Sequence, residues 1–218
     1  GGWFKHATIA TNPDYMVAKG PKSAFTIDTN GTLGTSLNGY WKLDETSGTR
    51  VDSASTNDLT DNNTVTSAAG KQSNAGQFTA ANSEYLSIAD NADLSVGNID
   101  FSIAAWVYLD NSQADQAVVS KSEADNSEFV LYFGGGNFTW NVRKADNTNA
   151  VAIGAAAGST GAWHFVVAYH DSVNDVIGIS VDNATPTTTA LVGGGRDSTA
   201  PFAIGGWDAT YFMNGRID

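Results

Sequence analysis

Nine consecutive residues, Phe101–Leu109, alternate without a break: Phe101, Ile103, Ala105, Val107 and Leu109 against Ser102, Ala104, Trp106 and Tyr108. Period two over that length places one set on a core face and the other on a second, partly covered face of a β-strand. A helix would scatter the same apolar residues around its whole circumference. At about 3.3 Å per residue the strand spans about 30 Å, enough to cross a sheet. Asp100 before it and Asp110-Asn111-Ser112 after it are turn residues. The stretch predicts a central strand, and the chain must be built around it.

The surrounding sequence repeats that grammar in shorter pieces. Gly, Asn, Asp, Ser and Thr crowd the segments between apolar runs, the pattern of many short strands joined by turns. No window reads as a long amphipathic helix; the candidate 152–157 is interrupted at Gly154 and followed by Gly158, and glycine costs about 1 kcal/mol per helical position. From residue 37 onward the expected strands are Tyr40–Leu43, Val51–Ser55, Gln77-Phe78, Tyr85–Ile88, Ala117–Ser120, Phe129–Phe133, Phe138–Val142, Trp163–His170, Val176–Val181, Phe202–Gly206 and Gly215–Asp218. Gly134-Gly135-Gly136 should turn one hairpin and residues 171–175 another. Residues 1–36 differ: Pro13 and Pro21 lie close together, no apolar period is sustained, and Asn30-Gly31 suggests a small hairpin over 24–33. They read as an N-terminal arm carrying Trp3, Phe4, Tyr15, Met16 and Phe25, docked on this sandwich or, preferably, on a neighbouring subunit. The expected organisation is therefore an arm, 1–36, and a sandwich, 37–218.

Charge narrows the partners. The formal net charge is −12, with 19 Asp against 4 Glu. Phosphate-backbone binding needs clustered Lys and Arg, so nucleic acid is excluded, and anionic membrane surfaces equally. The apolar run 103–109 is far below the ~20 residues of a spanning helix, so no membrane insertion is expected. Zero cysteines exclude disulfides and thiolate metal sites, though a domain this large can be stable without staples. The chain opens without Met and stops within an expected strand, which reads as a window from a longer chain.

In order, Tyr40-Trp41-Lys42-Leu43-Asp44-Glu45-Thr46-Ser47-Gly48, Val51-Asp52-Ser53, Glu84–Ile88, Asp100–Leu109 and Val119-Ser120-Lys121 are followed by Gly161-Ala162-Trp163-His164-Phe165-Val166. Ile179–Asn183, Ile204-Gly205-Gly206 and Gly215–Asp218 complete the series. This succession resembles the laminin-G-like group of the concanavalin A-like lectin/glucanase superfamily, over roughly residues 37–218. The resemblance implies an all-β, antiparallel two-sheet jelly-roll sandwich, and one further strand beyond Gly215–Asp218. It implies function weakly, because the fold hosts lectins, glycanases, adhesion modules and virion proteins. It also implies a cation between the loop after the first strand and the final strand. The matching carboxylates are Asp44, Asp52 and Asp218, and calcium is the cofactor they would take; the competing reading is that Asp44 and Asp52 cap their own turns.

Glu123, Asp125 and Glu128 match the E-x-D-x-x-E spacing of laminarinase-type glycosidases of that superfamily. Retaining hydrolysis needs two carboxyls about 5–5.5 Å apart on one rigid face. Here the intervening residues are Ala, Asn and Ser, the segment falls where a loop is expected, and the three read as loop carboxylates. His164 and His170 lie roughly 20 Å apart along one strand, too far to share a metal. No nucleophile-elbow motif is present. For a glycan, aromatic faces stack on sugar rings while Asp and Asn take hydroxyl protons. The candidates are Trp106, Tyr108, Trp140 and Trp207, the last in an exposed-looking Gly205-Gly206-Trp207-Asp208 turn. For Trp106, Tyr108 and Trp140 the stronger alternative is packing against the arm, a sheet or a partner. The expected protein is a non-catalytic binding or adhesion module at an extracellular, cell or virion surface. Its partner would be a glycan or cell-surface ligand. The rival readings are a virion decoration or fibre subunit gripping neighbouring subunits by its arm, and, more weakly, a glycan hydrolase.

Overall fold

The structure, a computed structural model, describes residues 2–6, 37–112 and 115–218. In chain order the strands begin β1 (Gly2–His6), β2 (Leu37–Trp41), β3 (Thr60–Asn62), β4 (Thr66–Ala69), β5 (Asn74–Phe78) and β6 (Tyr85–Ile88). Then come β7 (Phe101–Leu109), β8 (Gln116–Glu123), β9 (Asn126–Gly134), β10 (Asn137–Arg143), β11 (Asn149–Ala157) and β12 (Trp163–Asp171). The last are β13 (Val176–Val181), β14 (Thr187–Ala190), β15 (Phe202–Ile204), β16 (Gly206–Trp207), β17 (Tyr211–Phe212) and β18 (Gly215–Ile217). One sheet runs β14-β13-β12-β7-β18-β5-β4, with β1 against β7 and β2 against β1; the other runs β11-β10-β9-β8-β15-β6-β3. All pairings between strands are antiparallel. The protein is an all-β, two-sheet jelly-roll sandwich, and among the described residues the helical content is a single 3-10 turn, Ala80–Asn82.

β7 is the central strand its alternation predicts. Phe101, Ile103, Ala105, Val107 and Leu109 are buried while the residues between them are half-exposed. Phe129 and Trp140 of the other sheet close over Phe101, ring centroids 5.4 and 5.8 Å away. The expected hairpins form with Phe138 opposite Phe133 and Tyr169 opposite Gly178.

Three local readings are corrected. The first sandwich strand ends at Trp41, because Leu43 takes a left-handed φ of 56° and turns its side chain fully into the core. Residues 51–55 make no strand; single bridges, Trp41 to Asp52 and Arg50 to Leu59, hold that loop. The segment expected to be a loop between the Val119 and Phe129 strands is instead a tight hairpin, Glu123 opposite Asn126, turned on Ala124 with φ of 52°. The suggested hairpin over 24–33, and Tyr15, Met16 and Phe25 with it, lie outside the described residues.

Candidate ligand-binding site

The small β16–β17 hairpin lies across the outward side of β8. Its entry demands glycine: Gly205 has φ of 79° and a side chain there would sit 2.4 Å from the Phe78 ring, while one on Gly206 would meet Tyr85 at 2.8 Å. Free of side chains, the backbone drops onto the sheet, where the Ser120 hydroxyl donates to the Gly206 carbonyl at 2.7 Å. The hairpin turns through Asp208 and Ala209, both at positive φ. Asp208 Oδ1 accepts the Ala124 N–H at 2.9 Å and the Ser122 hydroxyl at 3.1 Å. Ser122 Oγ in turn accepts the Trp207 indole N–H at 3.1 Å. This relay, indole to hydroxyl to carboxylate, fixes the Trp207 ring.

The result is a cleft of about 250 Å³ whose lining includes Tyr85, Ser87, Ser122, Glu123, Trp207 and Phe212. Trp207 is the middle of an aromatic run, 4.6 Å from the Tyr211 ring and 5.5 Å from Tyr132. Burial holds the Tyr132 phenol above its ordinary pKa, so it stays a neutral hydroxyl. Rings flanked by hydroxyls and carboxylates suit a ligand with one apolar face and a polar rim. The charge at the cleft is acidic, from Glu123 and Asp208.

The four aromatics chosen from sequence are not brought together. Trp207 lies in the cleft, but Trp140 is fully enclosed in the core and its indole donates to the Tyr169 carbonyl at 3.1 Å. It offers no face to a ligand, because the strand alternation directs it inward between Phe101 and Phe129. Trp106 and Tyr108 are half-buried on the outer face of the opposite sheet. Lys71 already stands 4.3 Å over Trp106, and the Arg216 guanidinium 3.7 Å over Tyr108. Tyr85, Tyr132 and Phe212 were missed from sequence; their alternation in short strands marks a face but not what crosses it.

The E-x-D-x-x-E carboxylates divide between surface and interior. Glu123 is exposed at the end of β8, whereas Glu128 is fully buried and ion-paired to the equally buried Lys121 at 2.7 Å. Glu128 also accepts the Val96 and Ser198 amides at 3.1 and 3.0 Å. It is a structural anion.

Each carboxylate chosen for metal accepts backbone N–H groups. Asp44 takes Asn74 at 2.9 Å, Asp218 takes Gln72 at 2.7 Å, and Asp52 takes Tyr40 and Ala54 at 2.9 Å and Asn57 at 3.2 Å. Burial, then Asp218 and Asp44, push the Tyr40 phenol up to about 12. Among the described residues no three acidic or histidine side chains converge as a metal site.

Sequence reading also missed a hydrogen-bonded Ser159–His164–Asp182 series. His164 Nδ1 lies 2.7 Å from Asp182 Oδ2, and Nε2 3.1 Å from Ser159 Oγ. A nucleophilic relay needs Nε2 free to take the hydroxyl proton. Here the Ser159 backbone N–H donates to it at 3.0 Å, and Asp182 also accepts the Phe165 N–H at 2.8 Å. The series clamps the turn before β12 to the end of β13.

The two antiparallel sheets closed over one core define a jelly-roll sandwich domain. The chain belongs to the concanavalin A-like lectin/glucanases superfamily, whose laminin-G-type model matches residues 78–218. A comparison with curated proteins found no match. Among solved structures, the binding domain of Paraclostridial Mosquitocidal Protein 1 is similar at 13% identity and a TM-score of 0.63, over 82% of this chain and 47% of that one. Domain 4 of AbnA, an extracellular arabinanase from Geobacillus stearothermophilus solved with arabinotriose, is similar at 16% identity and a TM-score of 0.60, over 80% and 91%. Domains LG4-5 of the mouse laminin alpha1 chain match at 16% identity and a TM-score of 0.50, over 61% and 36%. The chain thus spans less than half the length of the toxin and laminin chains it matches.

Proposed function

We propose that this chain is a non-catalytic glycan-binding module working at an extracellular or particle surface, with the cleft at Trp207 as its sugar site. The carrying observation is that Trp207 lines the cleft together with Tyr85 and Phe212, beside Ser122, Asp208 and Glu123. A sugar ring stacks on the indole while its hydroxyls donate to the carboxylates and exchange hydrogen bonds with the serines. Acidic surroundings favour a neutral sugar over an anionic one. The similarity to a domain solved with arabinotriose and to a toxin binding domain supports a binding role. Hydrolysis is disfavoured because Glu128, the last carboxylate of the motif, is buried against Lys121.

The test is binding to an array of neutral plant and bacterial oligosaccharides, followed by titration calorimetry on any hit. Trp207→Ala should weaken binding by about 2 kcal/mol, roughly 30-fold, as for other central aromatic anchors. Binding that survives Trp207→Ala but disappears in Trp106→Ala would move the site to the other sheet and overturn this reading.

A further inference from the structure

One edge of β7 is covered by two segments from distant parts of the chain. β18 pairs with residues 107–109, Gly215 opposite Leu109 and Ile217 opposite Val107. Asp218 and Trp106 then exchange two backbone hydrogen bonds, at 2.8 and 3.0 Å. From Ala104 to Phe101 the same edge is taken by β1, with Trp3 opposite Ala104 and His6 opposite Phe101. Both segments run antiparallel to β7, so β1 continues the line of β18 without being joined to it there. On its other side β1 pairs with β2, Gly2 opposite Trp41 and Lys5 opposite Leu37. β2 enters the sheet through β1 alone among the described strands. Residues 2–6 therefore fill a slot with a hydrogen-bonding strand edge on each side.

The connection out of that slot is far longer than the pairing requires. Lys5 and Leu37 face each other, a hairpin that 2–5 residues would close. Instead residues 7–36, thirty in all, separate His6 from Leu37. Thirty residues can reach about 100 Å when extended. An emptied slot would leave two strand edges unpaired, and such edges recruit strands from other chains.

We propose that the slot between β2 and β7 is a strand-acceptor site, and that it takes residues 2–6 of a second copy of this chain, assembling copies by strand exchange. The exchanged ladder has the same hydrogen bonds as the closed one, so the connector sets the balance. A connector of this length holds its own strand at an effective concentration on the order of millimolar. Closed copies dominate in dilute solution, and exchange grows as the chain is concentrated or displayed on a surface.

The absence of cysteine from the chain allows a clean trap. Directly opposed residues of an antiparallel pair lie within disulfide reach. Full-length Trp3→Cys and Ala104→Cys chains carrying different tags are mixed and oxidised. The expected result is a disulfide-linked heterodimer whose yield rises about tenfold for each tenfold increase in concentration below a millimolar. It should be absent when Thr188→Cys, on the remote β14, replaces Ala104→Cys. Closure within the Trp3→Cys/Ala104→Cys double variant, with heterodimer no higher than the Thr188→Cys control, would overturn exchange and leave the strand strictly intramolecular. Failure to close in either setting would overturn the slot itself. Sedimentation of the unmodified chain gives an independent check: a dimer that grows with concentration and dissociates on adding a peptide of residues 1–8 supports the proposal. A chain that stays monomeric up to about a millimolar refutes it.

Discussion

Replacing Lys121 by Met should be among the most damaging single substitutions in this protein. Lys121 is fully buried, and its ammonium reaches Glu128 and Asp90, each at 2.7 Å, and the carbonyls of Ser198 and Ala200, each at 2.9 Å. It joins β8 to the neighbouring β9 and ties both to the segment leading into β15. Met matches the aliphatic stem but removes the charge, leaving Glu128 a fully buried carboxylate without its cation and two carbonyls without a donor. Breaking a buried pair from one side costs about 3–5 kcal/mol, against a total stability of roughly 5–15 kcal/mol for a typical domain. At about 2–4 °C per kcal/mol for a chain of this size, the melting temperature should fall by roughly 10 °C. The Lys121→Met/Glu128→Leu double variant removes both charges and should recover at least half of the loss, since buried pairs are often replaceable by apolar groups. Asp90 reports the same change locally: its hydrogen bond to Lys121 holds its carboxyl below the usual range, and in Lys121→Met an NMR titration should find it higher. Denaturant and thermal unfolding of the four species complete a double-mutant cycle. A Lys121→Met loss under about 1 kcal/mol, or additive single losses, would refute the argument that burial makes the pair interdependent.

Burial lowers the pKa of His170 against the opposing pull of Asp100, Asp171 and Asp175; the folded state therefore binds its proton less readily than the unfolded state. Stability should be lost as pH falls below the ordinary histidine value, and the fall in melting temperature from neutral to mildly acid pH should be smaller in His170→Leu. Gly205→Ala should destabilise by about 2 kcal/mol or more, since it combines a strained φ with overlap on Phe78, and it should also displace Trp207 and weaken ligand binding in calorimetry. Because Asp44, Asp52 and Asp218 already accept backbone amides, millimolar calcium should move the melting temperature by less than about 1 °C. A rise of several degrees, abolished by Asp44→Asn, would instead reveal a calcium site through ligand linkage.

Much of the fold was legible because strand alternation is a local property. The buried and half-exposed sets of β7, and the two hairpins Asn126–Arg143 and Trp163–Val181, can be read from neighbouring residues alone. β11 was not legible: alanine and glycine carry little strand signal, and it is a strand because β10 pairs with it and the core accepts Ala150 and Ala152. Of the aromatics chosen from sequence, Trp207 lies in the cleft and Trp140 inside the core, since an inward and an outward aromatic look alike until the opposing sheet is in place. Trp207 meets its hydrogen-bond partner Ser122 across 85 positions of sequence, and Glu128 meets Ser198 across 70. The slot at β7 is filled from opposite ends of the chain. Period and turn chemistry determine which segments become strands and which side of each faces inward. Which strands lie together, and so which side chains share a cleft, was decided by closure of the two sheets over one core, where the contacts that determine position are long-range and no local pattern records them.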